Sequence, residues 1–317
     1  MHTLHPGARL FVTIAICTWN RSQLLRKTFE SLERMTIPDG IDWELIVVDN
    51  NSTDETSAVL TEFVSRLPLQ VVSEPNAGLS HARNAALAHV RGTYIIWTDD
   101  DVLVDPGWLA AYVDAFQSHE GATVFGGPIL PWFEGDPPSW LRMVLKDVEV
   151  AYAVRDFDSR DASLSESNMP FGANMAFTSS LLTKYAFDVT LGRIRGGLVG
   201  GEETAIIRSM LSSGHVGCWV SGARIQHYIP RSRQTIRYLR GWYAGYGRML
   251  VRLDAKSSGA ARQARPRWIW REWITAELLF MYRRIWATPT QWIPDLKRAS
   301  IARGQFDEYG VQQRSAR

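Results

Sequence analysis

Two periods of apolar residues alternate along the first hundred positions. Leu10 to Ile16 is a continuous apolar, β-branched run, the mark of a buried strand. Behind it Leu24, Leu25, Phe29 and Leu32 recur at helical spacing, with Asn20 or Ser22 able to cap the helix. Pro38-Asp39-Gly40 turns the chain, and Trp43 to Val48 reads as a second strand that closes in Asp49-Asn50-Asn51-Ser52-Thr53-Asp54. A helix to about Leu67 and a short strand from Leu69 to Ser73 follow. Asn76-Ala77-Gly78 breaks that strand, and Leu79 to Val90 is helical with small residues at Ala82, Ala85 and Ala86. Thr93 to Thr98 is a fourth strand, and it runs straight into Asp99-Asp100-Asp101.

This rhythm predicts an α/β fold with a mostly parallel central sheet covered by helices on both faces. Ligands of such sheets bind beyond the carboxyl ends of the strands. Thr18, Asn20, the run from Asp49 to Asp54, and Asp99 to Asp101 all occupy those ends, so they are expected to gather at one edge. Farther on, Trp108 to Gln117 reads as a helix and Ala122 to Gly126 as a strand. Residues 127–169, with four prolines and scattered charges, read as a lid or insertion facing substrate. Phe171 to Thr178 resumes a strand, and the five-glycine stretch from Gly192 to Gly201 reads as a loop that closes over ligand. Glu202 and Glu203 open a helix, Val216 to Val220 is a further strand, and His227 follows it. From Thr235 onward the chain is helical, basic and rich in Trp and Tyr. These shifts divide it into residues 8–230, with halves at 8–105 and 106–230, and an extension over 231–317.

Charge changes the picture in one place. Net charge is +2, yet Arg224 to Arg284 holds 14 Lys or Arg against 3 Asp or Glu, a local net of +11. Such asymmetry points to an anionic surface or ligand, and no nucleic-acid module accompanies it. Trp268 to Trp292 holds five tryptophans with Arg271, Arg283 and Arg284 among them. That mixture suits a membrane interface, and equally an amphipathic helix packed on the domain. No apolar run reaches spanning length, the start lacks a secretory pattern, and Cys17 and Cys218 form no disulfide framework. The expectation is a cytoplasmic protein, peripherally associated at most with the inner face of the plasma membrane.

Three adjacent carboxylates repel one another, and a divalent cation resolves the conflict. Magnesium or manganese fits such oxygen ligands; a solvated loop with a helix cap also accounts for them. Asp49 can accept from a base N–H or a ribose hydroxyl, or form an Asx turn. Arg83 can pair with Asp49 or with a diphosphate, and a structural salt bridge accounts for it nearly as well. Glu202 and Glu203 suit a general base, and also the ordinary preference for acids in a first helical turn. His227 can approach a metal or a phosphate.

Six segments, taken in order, resemble the large family 2 of inverting glycosyltransferases with the GT-A fold, of the bacterial polysaccharide or glycan biosynthesis type. They are Val12 to Arg21, Val47 to Asp54, Asn76 to Asn84, Thr98 to Asp101 with Pro106, Phe171 to Phe177, and Gly201-Glu202-Glu203. The resemblance implies a nucleotide-diphospho-sugar donor and a glycan or lipid-linked acceptor. It places Thr18, Asn20, Asp49, Arg83, Asp99 and Asp100 on the donor side and Asp101, with His227, on the metal. Glu203 falls on the position of the base, with Glu202 as its rival because this chain has Glu-Glu where the family more often has Glu-Asp. Asn174 falls on the acceptor-side strand, and Trp132 and Trp140 in the 127–169 segment join it as expected acceptor contacts. A metal-dependent nucleotidyltransferase is the enzymatic alternative, although the loop Thr18-Trp19-Asn20-Arg21 lacks the glycines such enzymes normally show. A noncatalytic glycan-binding component of a polysaccharide assembly complex is the other alternative.

Overall fold

A computed structural model describes residues 9–157, 161–166, 168–182, 184–189, 201–258 and 266–314. The expected closing loop from Gly192 lies outside the described residues up to Gly201. In chain order the elements are β1 (Leu10–Thr18), α1 (Ser22–Leu32), β2 (Ile41–Asp49), α2 (Thr56–Phe63), β3 (Leu69–Ser73), α3 (Leu79–Leu87), β4 (Tyr94–Asp99), β5 (Val102–Val104) and α4 (Trp108–Ser118). They continue with β6 (Ala122–Gly126), β7 (Ile129–Phe133), α5 (Ser139–Val148), β8 (Ala162–Ser163), β9 (Asn174–Thr178), α6 (Ser179–Leu182), α7 (Glu202–Ser212), β10 (Val216–Trp219) and β11 (Ile225–Ile229). Three helices close the chain: α8 (Ile236–Ser258), α9 (Arg267–Trp286) and α10 (Pro289–Arg314).

The continuous apolar strands are continuous because both faces of the sheet are covered. Ile14, Ile16, Leu45 and Val47 pack on one side with Phe29, Phe63 and Trp108. Their neighbours Ala15, Ile46 and Val48 pack on the other with Ala82, Ala86, Trp97 and Phe177. Successive strand residues point to opposite faces, so one run of sequence fills two cores.

The main sheet has the order β3-β2-β1-β4-β9-β6-β10-β8. β1, β2, β3 and β4 pair in parallel, as do β6 and β10, while β9 runs antiparallel between β4 and β6. The α/β class stands, with a mixed sheet. A second sheet of three strands has the order β5-β11-β7. The segment read as a lid contributes instead β7 to that sheet, helix α5, and the two-residue strand β8 at the edge of the main sheet.

The chain divides into two compact units. One comprises Met1–Trp132 and Ala153–Tyr228, and the other Phe133–Tyr152 and Ile229–Arg317. The second unit therefore takes in α5 as well as α8, α9 and α10. Within it α8 and α10 cross where Gly247 meets Ile301 and Gly304 meets Ala244. A side chain on either glycine would run into the facing backbone. Acids from α9 and α10 answer a small part of the basic excess: Glu277 binds Arg240, Glu308 binds Arg252 and Asp295 binds Arg283, while Glu272 binds Arg298 of α10.

Candidate active site

The carboxyl ends of β1 and β4 are neighbours, with Cys17 in register with Asp99. That pairing carries the polar residues after β1 to the acidic residues after β4. Thr18 Oγ1 donates to Asp100 at 2.8 Å. Arg21 Nη1 lies 2.8 Å from Asp100 Oδ1 and 2.6 Å from Asp101 Oδ2. Burial and the neighbouring Asp101 push the Asp100 carboxyl up to about 6, against the pull of Arg21. Asp100 and Asp101 are buried, and Asp99 is half-buried. Sequence reasoning gave Arg21 no role. Its signal is a cation three residues beyond the strand-end Thr18, on the strand beside the acidic one.

A second pairing completes the cluster. β11 runs antiparallel to β5 with His227 opposite Val102, and Tyr228 N donates to the Asp101 carbonyl at 2.9 Å. This places His227 Nε2 3.4 Å from Asp101 Oδ1, both side chains buried. Asp99, Asp101 and His227 each offer a ligand atom within 4.8 Å of the others. Two carboxylate oxygens and one imidazole nitrogen are a donor set that fits a divalent cation of the magnesium or manganese kind.

Asn50 builds the adjoining corner. Its side chain donates to the carbonyls of Glu74 and Asn76 and accepts from Gly78 N at 2.8 Å. It thereby ties the ends of β2 and β3 to the start of α3, which carries Arg83. Gly78 has φ 140°, a backbone that favours glycine there. Asp49 Oδ1 accepts from Ser52 N, three residues on, at 3.0 Å, which ties the loop after β2 back to its strand end. Asn20 uses its side-chain oxygen on Thr53 N at 2.7 Å and Asp54 N at 3.3 Å, fixing one loop against another.

Arg83 makes a structural salt bridge, with the two glutamates of α7. Its guanidinium is buried, with Nη1 2.7 Å from Glu202 Oε1 and 3.8 Å from Glu203 Oε2. Trp97 and Phe187 flank it at 5.7 and 5.3 Å. Gly172 leaves room for it, since a side chain there would meet the guanidinium. The glutamates enter α7 from Gly201, whose φ of 116° turns the chain, and they occupy the positive end of the helix. Burial and the adjacent Glu203 carboxylate push Glu202 up to about 7, with Arg83 opposing. Cys17 sits between the two groups. Burial pushes its thiol up to about 12, and the charges of Arg83, Asp99, Asp100 and Glu202 all reach it.

The expected acceptor residues each pack within their own unit. Asn174 is fully buried, accepting from Trp108 Nε1 at 2.9 Å and Tyr112 Oη at 2.8 Å, and donating to the Pro128 and Ala223 carbonyls. With both ends of its amide engaged it holds the core. Asn174→Ala is expected to cost about 3 kcal/mol or more, because it strands several buried polar groups; urea unfolding measures it. Trp132 packs on Tyr228 with its ring under Lys27, and Trp140 packs 6.0 Å from Trp292 within the second unit.

The profile of glycosyl transferase family 2 matches residues 13–177. The chain belongs to that family. As a member, it transfers a sugar from a nucleotide-diphospho-sugar donor, which decides against the nucleotidyltransferase and the noncatalytic alternatives. It is 25% identical over 264 residues to the succinoglycan biosynthesis protein ExoM of Rhizobium meliloti, covering 82% of this chain and 80% of that one. It is 22% identical over 258 residues to the glucosyl-dolichyl phosphate glucuronosyltransferase of Haloferax volcanii, covering 76% and 77%. The mannosyltransferase PcManGT of Pyrobaculum calidifontis, solved with GDP-Man and Mn2+, shares the fold. Its TM-score is 0.54 at 19% identity, over 96% of this chain and 74% of that one.

Proposed function

We propose that this glycosyltransferase moves its sugar, with inversion, onto a hydroxyl of a glycan or lipid-linked acceptor and depends on magnesium or manganese. The observation that carries the reading is the meeting of Asp99, Asp101 and His227 at the end of β4. Asp101 and His227 would hold the cation, with Asp99 toward the donor. The cation, when bound, neutralises charge developing on the departing nucleotide diphosphate. The manganese in the PcManGT complex supports this. Asp49 and Thr18 belong to the donor side, Asp49 toward the base. Asp100 keeps Arg21 and the turn in place.

Glu203 is the base. It takes the proton of the acceptor hydroxyl as the oxygen attacks the anomeric carbon from the face opposite the leaving group. Its side chain is 16% exposed where that of Glu202 is 2% exposed, so Glu203 is the more reachable of the two. Glu202 and Arg83 then act as positioning residues. Gly172→Ala is expected to displace the Arg83 guanidinium and lower kcat by at least about tenfold with little change in donor KM. A fall in donor affinity alone would instead assign Arg83 to the diphosphate.

A dolichyl phosphate carrier in the name of one relative supports a lipid-linked acceptor, and the basic, aromatic second unit supports an anionic membrane as partner. No helix among the described residues is long and apolar enough to cross a membrane. The inferred place is the cytoplasmic face, in peripheral association. The decisive experiment screens nucleotide-sugars for metal-dependent release of nucleotide diphosphate. Absence of release from every donor, with and without manganese, sinks the reading.

A further inference from the structure

Helix α9 is apolar on two faces. Ile269, Ala276 and Phe280 are buried, with Trp273 packed beside them, and these positions form one stripe at helical spacing. The opposite stripe is also apolar, and it is exposed. Trp270, Ile274, Leu278, Met281 and Ile285 follow one another at spacings of three and four, and Tyr282 and Trp286 widen the band. Ile285 is 70% and Trp286 79% exposed, where isolated exposed apolar residues are the ordinary case.

Charge says what covers this face. Both acids of α9 are taken by arginines of its own unit: Glu277 binds Arg240 and Glu272 binds Arg298. Arg267, Arg271 and Arg284 are left with no acidic partner among the described residues. Beside Ile274 and Leu278 a cavity of about 230 Å³ opens, lined also by Trp273, Arg303 and the paired Arg240 and Glu277, and Arg303 has no acid paired to it among the described residues. The face thus offers apolar side chains and tryptophans bordered by uncompensated cations. A second copy of the chain would bring like charges to this face. An anionic bilayer supplies both complements, acyl chains for the band and phosphates for the arginines.

Resting on the membrane partner inferred above, we propose that α9 lies along an anionic phospholipid surface. Its Trp270–Ile274–Leu278–Ile285 band sits at the acyl boundary, with a lipid phosphate against Arg303. The contact is interfacial, and it holds the second unit on the surface without a spanning segment.

Sedimentation of the full chain with vesicles tests this. Vesicles of phosphatidylcholine containing about 30% phosphatidylglycerol should bind the protein at least about tenfold better than phosphatidylcholine alone, and high salt should weaken the binding. Ile285→Ser combined with Trp286→Ser, both exposed and outside the site, should lower partitioning at least about tenfold while the protein stays folded. Arg267→Gln combined with Arg271→Gln should lower it by roughly tenfold or more and reduce its salt dependence. Equal binding to neutral and anionic vesicles, or unchanged binding by both double variants, overturns the assignment. So does concentration-dependent self-association that the Ile285 and Trp286 changes abolish while vesicles fail to bind, which marks the face as a contact between copies. Vesicle binding is read without donor, and donor turnover without vesicles, so either reading can fail alone.

Discussion

Asp101→Ala is expected to lower sugar transfer by roughly 10²–10³-fold and to abolish detectable manganese binding by titration calorimetry. The expectation follows from charge as much as from geometry. Asp99, Asp100 and Asp101 bring three formal negative charges and Arg21 one positive, a net of −2. A divalent cation matches that remainder. Arg21 spans Asp100 and Asp101, so it keeps a partner when Asp101 is lost, and the fold is expected to persist. Circular dichroism and a thermal melt without metal check that point. His227→Ala removes the nitrogen ligand, and it should weaken metal binding less than the loss of the charged Asp101. Wild-type manganese affinity in Asp101→Ala would mean that the cation sits elsewhere.

The first hundred residues are legible because their strands are apolar runs, and the candidate site residues stand directly after them. β3 falls where the pattern placed it, at Leu69–Ser73, and β4 ends on Asp99 as the run from Thr93 suggested. What stayed hidden depends on pairing between distant segments. β5 has only three residues and β11 carries the polar Gln226 and His227 at its centre, yet their antiparallel register delivers His227 to Asp101. β9 reads like any buried strand, and nothing local declares that it runs against β4. Asn174 illustrates the limit on polar residues in a strand. The pattern marks it as unusual, but only the structure shows Trp108, Tyr112 and two carbonyls using its whole amide. The sequence marks Arg83 but not the acid it pairs with, because Glu202 lies 119 residues away. The two faces of α9 are invisible to periodicity for a different reason. With apolar residues on opposite sides, no single polar face remains to mark an orientation.

The glutamate pair yields the second large effect. Glu203→Gln is expected to reduce kcat by roughly 10³–10⁴-fold while donor and metal binding persist, since a general base acts only in the chemical step. Glu202→Gln is expected to leave a measurable rate and to change its pH dependence. Glu202 holds its proton up to about 7, above its ordinary 4.5, because it is buried beside Glu203. As a carboxyl raised above its unfolded value, it binds more proton in the folded than in the unfolded state between these values. Its contribution to stability is therefore complete below about pH 4.5 and is lost as pH rises toward 7. The same proton sits in the pair that must accept one from the acceptor. Transfer by the wild type is thus expected to rise with pH through about 7, a limb that belongs to the pair rather than to either residue. Replacing Glu202 by glutamine removes that proton, and the limb near 7 should disappear. A profile of kcat against pH for wild type and both variants reads all three expectations. If Glu203→Gln transfers sugar at the wild-type rate and Glu202→Gln does not, the roles of the two glutamates are exchanged. The buried carboxyl against Arg83 would then be the base.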